Sequence, residues 1–102
     1  MANQVQLRGK VSRSGPLRYT AAGTPLREIL VAVPQEGPEG KTIGYFAVIL
    51  YGGIAEESQS ICRVGKNVRI QGRLWMRSYR NRQDKRIEEC KVVANQIQND
   101  GR

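Results

Sequence analysis

The run Val68-Arg69-Ile70-Gln71-Gly72-Arg73-Leu74-Trp75-Met76-Arg77-Ser78-Tyr79 alternates along its whole length. Val68, Ile70, Gly72, Leu74, Met76 and Ser78 form one row, and Arg69, Gln71, Arg73, Trp75, Arg77 and Tyr79 form the other. Side chains leave a β-strand on opposite faces with period two, so these rows are the two faces of one ribbon. The apolar row is expected to lie on a core, which leaves the other as a solvent-facing platform. Guanidiniums neutralise phosphates and flat rings offer stacking surfaces to unpaired bases, a combination suited to single-stranded nucleic acid. The same row would also serve an edge strand kept soluble by arginines.

Outward from this ribbon the chain continues to read as sheet. Val5, Leu7, Gly9 and Val11 alternate with polar residues in a first strand that Ser14-Gly15-Pro16 breaks. A turn-rich bridge, Tyr19 to Pro25, leads into a second strand over Leu26 to Val33, and Pro34 to Lys41 reads as a loop at a projecting hairpin tip. The third strand, Thr42 to Tyr51, has two apolar faces: Tyr45, Ala47, Ile49 and Tyr51 on one, Phe46, Val48 and Leu50 on the other. After Gly52-Gly53, Ile54 to Ile61 is patterned as a short helix, and Val64 to Asn67 turns the chain back into the alternating ribbon. Arg80 to Lys85 is a charged loop, and Arg86 to Ile97 is a fifth strand. The expected fold class is therefore all-β: a five-stranded OB-fold barrel with one short helix between strands three and four. Residues 1–102 form one domain on this reading, with a core over about 4–97 and a frayed tail over 98–102.

At this length the chain builds one modest core. Its 17 Lys and Arg against 9 Asp and Glu give a net charge of +8, which favours a polyanionic partner through long-range attraction and counterion release. The longest apolar stretch, Tyr45 to Tyr51, falls far short of the roughly 20 residues that span a bilayer, so no membrane partner is expected. The N-terminus opens directly into a strand pattern without the apolar segment of a secretory signal, and the expected location is cytoplasmic. Two cysteines, Cys62 and Cys90, and no histidine give no four-ligand zinc set. Buried free thiols are expected, with no metal and no cofactor.

Catalysis finds little to work with. Without histidine there is no imidazole base, and the glutamates fall in neighbouring pairs, Glu56-Glu57 and Glu88-Glu89, that belong on solvated surfaces. The run Gly37-Pro38-Glu39-Gly40-Lys41-Thr42 imitates the end of a phosphate-binding loop, but only two residues separate its glycines and a strand follows it. No catalytic residue is assigned. The aromatics are more informative, because Tyr45, Tyr51, Trp75 and Tyr79 interleave with Arg73, Arg77, Arg80, Arg82, Lys85 and Arg86. With Arg8 of the first strand, these are the expected DNA-binding residues: rings to stack bases and cations to neutralise phosphates.

Three segments carry a resemblance: Leu17 to Pro25, Val48 to Glu56, and Val64 to Leu74 with Arg77-Ser78-Tyr79. In this order, with the helix between them, they resemble the bacterial single-stranded DNA-binding protein family from about Val5 to Ile97. The resemblance implies base-stacking roles for Tyr45, Tyr51 and Tyr79 and a phosphate contact for Arg77, by a mechanism that the family itself supplies. Trp75 stands where relatives often have a basic residue, and Gly37 stands near a place where some members carry a further aromatic.

The implied activity is sequence-independent binding of single-stranded DNA in replication, recombination and repair, by a homotetramer. Family members usually continue into a long tail with an acidic tip that recruits other proteins, whereas this sequence stops at Arg102. In that it is similar to the primosomal replication protein N group, which is tail-less and dimeric and would add replication or primosome proteins as partners. RNA binding stays open, as does a protein-interaction module that uses the same face.

Overall fold

A computed structural model describes residues 2–101. The elements in chain order are β1 (Val5–Ser14), β2 (Arg18–Tyr19), β3 (Pro25–Gly37), β4 (Gly40–Tyr51), α1 (Gly53–Glu57), β5 (Asn67–Arg80) and β6 (Arg86–Asn99). The strands hydrogen-bond in the order β1-β5-β6-β4-β3-β2, and β1 pairs with β3 as well, which rolls five strands into a barrel with β2 added outside β3. The fold is the expected all-β OB-fold barrel, with its helix between β4 and β5.

Closure depends on β1 serving two neighbours. Val5 to Lys10 pair with Gly72 to Asn67 of β5, and Lys10 to Ser14 pair with Ala32 to Ile29 of β3. Where β1 passes from one to the other it runs against the β3 backbone, and a Cβ at Gly9 would collide with the Ala32 carbonyl. A second close approach holds β5 to β6 at Gly72, where a Cβ would meet the Val93 carbonyl. The register slips at that point: Gln71 faces Gln96 while Gly72 faces Ala94, leaving Asn95 as the extra residue of a bulge. The bulge resets the alternation, so Val92 and Ala94 below it and Ile97 above it all pack on the core.

Val11, Ile29, Val31, Val48, Leu50, Val68 and Ile70 fill the barrel, and Ala55 and Cys62 close one end. The ambiguity of β4 is settled here: Val48 and Leu50 point in, Phe46 packs partly buried against them, and Tyr45 and Tyr51 face out. Burying each such aliphatic side chain is worth about 1.5–3 kcal/mol, so a one-residue slip that turned this row to solvent would be prohibitive. Arg27 shares the inward row of β3 with Ile29 and Val31 and is buried, its guanidinium donating to the Gly15 carbonyl at 2.9 Å.

Several expectations are corrected. The apolar row of the ribbon lies on the core only as far as Gly72. Beyond it, Leu74 and Met76 are 49% and 63% exposed, because β5 and β6 run past the barrel as a two-stranded arm that no described residue covers on that face. Cys90, opposite Met76 on that arm, is exposed, whereas Cys62 is buried and burial pushes its thiol pKa up. The expected loop over 34–41 is instead regular hairpin, paired from Pro34↔Ile43 to Gly37↔Gly40. Pro34 is tolerated there because β3 has outrun its pairing with β1 and its second edge is open. Tyr19 forms β2 with Arg18, pairing with Pro25 and Leu26, where a bridge was expected.

The helix ends at Glu57, short of Ile61, where the Ser58 hydroxyl donates back to the Ile54 carbonyl and competes with further helix. Gln98 and Asn99 are strand, and the Asp100 amide donates to the Asn67 carbonyl at 2.8 Å, so the chain is held through residues expected to fray. Met1 and Arg102 lie outside the described residues. Among the described residues no helix is long and apolar enough to cross a membrane.

Candidate nucleic-acid interface

The outward rows of β3, β4, β6 and β5 meet on one open side of the barrel. Register places Leu26 opposite Tyr51 and Glu28 opposite Ile49. Ile49 lies beside Val93, Val93 opposite Arg73, and Lys91 opposite Trp75. These residues, with Arg77 and with Arg18 from β2, line a cleft of about 430 Å³. Ile49 and Val93 supply an aliphatic floor, and Val93 is only 6% exposed although it faces outward, because larger side chains cover it. Tyr51 and Trp75 present their rings at 48% and 39% exposure.

Four cations, Arg18, Arg73, Arg77 and Lys91, stand in this cleft against one carboxylate, Glu28. Lys91 is not free: its ammonium donates to both Glu28 oxygens at 3.0 and 3.3 Å and lies 3.7 Å from Glu89. The arginines therefore carry the cleft's available positive charge. Beyond the cleft on the same row of β5, the Arg77 guanidinium lies over the Tyr79 ring, 4.8 Å from its centroid. The Glu89 carboxylate nearby, as a hydrogen-bond acceptor and a negative charge, holds the Tyr79 phenol pKa above its ordinary value.

The structure gathers part of the expected set. Tyr51, Arg73, Trp75 and Arg77 share the cleft, Tyr79 continues its line, and Tyr45, 59% exposed, lies farther along the outward row of β4. Arg82 and Lys85 sit in the turn at the arm's tip. Arg80 and Arg86 face each other on the opposite side of the arm, in the row of Leu74 and Met76. Arg80 holds the Asp84 carbonyl at 2.9 Å, and Arg86 holds the Ser78 hydroxyl at 3.0 Å and Glu88 at 3.3 Å. Arg8 is outside the cleft, in a separate depression with Val33, Pro34 and Arg69. Arg8 and Arg69 both grip Asp100 at 2.9 Å, and hydrogen bonding from Arg8 lowers the Asp100 carboxyl pKa below its ordinary value.

Arg18, Glu28 and Lys91 were not legible as site residues. Each is one charge in an ordinary strand pattern, and only the parallel pairing of β4 with β6 brings Lys91 to Glu28. The Arg18-Tyr19 pair carried the only sequence signal, as part of a segment marked for its resemblance.

Comparison with known proteins adds to this geometry. The family model described as the single-strand binding protein family matches residues 2–100. The single-stranded DNA-binding protein B of Bacillus subtilis is 30% identical over 100 residues, covering 95% of this chain and 88% of that protein. The single-stranded DNA-binding protein of Wolinella succinogenes is 29% identical over 103 residues, and the chain spans 64% of its length. That of Thermotoga maritima is 27% identical over 100 residues, spanning 71% of its length.

Proposed function

The chain belongs to the single-strand binding protein family, and from that membership we propose that it binds single-stranded DNA with little sequence preference and does no chemistry on it. The observation that carries the reading is the cleft, where exposed Tyr51 and Trp75 alternate with Arg18, Arg73 and Arg77 over an aliphatic floor. Bases stack on Trp75, Tyr51, Tyr79 and Tyr45, and phosphates run along the arginines, with Arg82 and Lys85 extending the track at the arm's tip. Arg80 and Arg86 face away from this path and Arg8 is held by Asp100, so these three contribute through overall charge rather than contact. The net charge of +8 draws the strand in from a distance.

In this reading the protein serves replication, recombination and repair in the bacterial cytoplasm and nucleoid. It self-associates to a tetramer, or otherwise a dimer, through the arm, whose Leu74, Met76 and Cys90 form a row left exposed among the described residues. The names of the relatives speak for DNA binding itself rather than for a restart-specific role.

The test is Trp75 fluorescence during titration with oligo-dT, duplex DNA and oligo-rU at two salt concentrations. Quenching by oligo-dT that weakens with salt, with little response to the duplex, supports the reading. No binding to any of the three turns the arginine-aromatic face into a protein interface.

A further inference from the structure

We propose that Glu28 gives the cleft a built-in base preference, favouring nucleobases that carry an amino group over thymine; this rests on the cleft being the DNA-binding face. A carboxylate is an unexpected lining for a phosphate track. Glu28 nevertheless stands in the cleft with its side chain 40% exposed, on the same wall as Tyr51 and within the same space as Trp75. It is not neutralised by the arginines around it. Its partner is Lys91, whose side chain is 14% exposed and is shared with Glu89, so the two carboxylates and one ammonium together carry a net negative charge within a positive surface.

Such a centre repels phosphate and leaves the place to a base. An ionised carboxylate only accepts hydrogen bonds and has about four lone-pair positions. Lys91 donates to both oxygens, and the side chain's remaining exposure is shared between the cleft and an adjoining depression lined by Arg13, Gly15 and Arg18. Cytosine and adenine offer an exocyclic amine, and guanine offers an amine beside a ring N–H. Thymine sets carbonyl oxygens against the carboxylate at most of its edge. Carboxylate acceptance from the cytosine amine is an established mode of base reading. Stacking on Trp75 and Tyr51 holds any base in place, because every base has a face to stack. Glu28 then tests the base's edge.

The experiment compares affinities for oligo-dC and oligo-dT of equal length, at fixed salt and pH 8, for the wild-type chain and for Glu28→Ala and Glu28→Gln. Alanine removes the acceptor. Glutamine keeps the size and one acceptor for Lys91 but adds an amide donor that thymine carbonyls can use. Both substitutions are expected to shift the ratio of the two affinities toward oligo-dT by about fivefold. If either well-folded variant changes both affinities by the same factor, Glu28 only positions Lys91 and the proposal fails. If the wild-type chain binds neither oligonucleotide, the cleft reading itself has failed and carries this proposal down with it.

Discussion

Arg77 covers Tyr79, its guanidinium carbon 4.8 Å from the ring centroid. Being two residues apart on one strand face, they form a stacked cation and ring that a base can extend on the open side. Tyr79→Ala or Trp75→Ala is expected to cost about 1–3 kcal/mol of oligo-dT affinity with the salt slope nearly unchanged. Arg77→Ala is expected to lower that slope by about 0.7, since one phosphate contact is lost. Titrations at four salt concentrations separate the two effects, and equal slopes in all three variants would remove Arg77 from the phosphate track.

The cations outside the cleft give the opposite expectation. Arg80→Ala and Arg86→Ala should leave oligo-dT affinity within about 0.5 kcal/mol of wild type, because both side chains face away from the cleft and hold Asp84, Ser78 and Glu88. The same salt series measures this. A slope change as large as that of Arg77→Ala would show that the strand wraps both sides of the arm.

Asp100 links the chain's end to β1 and β5 through Arg8 and Arg69. Its carboxyl pKa is lower in the folded state than in the unfolded chain. The ionised form therefore stabilises the fold at pH values above the unfolded carboxylate pKa, and that contribution is lost as pH falls through the lower folded value. Asp100→Asn is expected to melt below wild type at pH 7, with the difference closing as acid protonates the wild-type carboxyl through its lowered folded pKa. Thermal melts by circular dichroism across that range check the sign, and a gap that persists in strong acid would assign the loss to something other than the carboxylate's charge.

The alternation of β1, β4 and β5 was enough to read the barrel, because inward Val, Ile and Leu at period two leave one register that buries them. What it missed depended on distance along the chain. Nothing in Leu74 or Met76 themselves differs from Val68 or Ile70, and their exposure follows from where the barrel stops beneath β5. Likewise Tyr51, Trp75, Arg73 and Arg77 can be placed on outward rows from the sequence, whereas Arg80 and Arg86 follow close behind in the chain but lie in the row of Leu74 and Met76. Glu28 and Lys91 join the cleft only through a parallel pairing between strands far apart in sequence.

Gly72 offers a test of the bulge that makes this geometry. Its Cα approaches the β6 backbone so closely that a Cβ would collide with the Val93 carbonyl, and Val93 is the floor of the cleft. Backbone does not step aside as a side-chain tip does, so Gly72→Ala has to push β6 away from β5. The expected loss is about 3 kcal/mol in urea denaturation. Gly23→Ala provides the contrast: its φ of 84° strains an alanine, but no atom lies within 4 Å of the added Cβ, so only a conformational cost of about 1 kcal/mol is expected. If Gly72→Ala is the milder of the two, the strands are not pinned at Gly72. If it is the harsher and the folded fraction also loses Trp75 quenching by oligo-dT, then the pairing at Gly72 sets the height of the cleft floor.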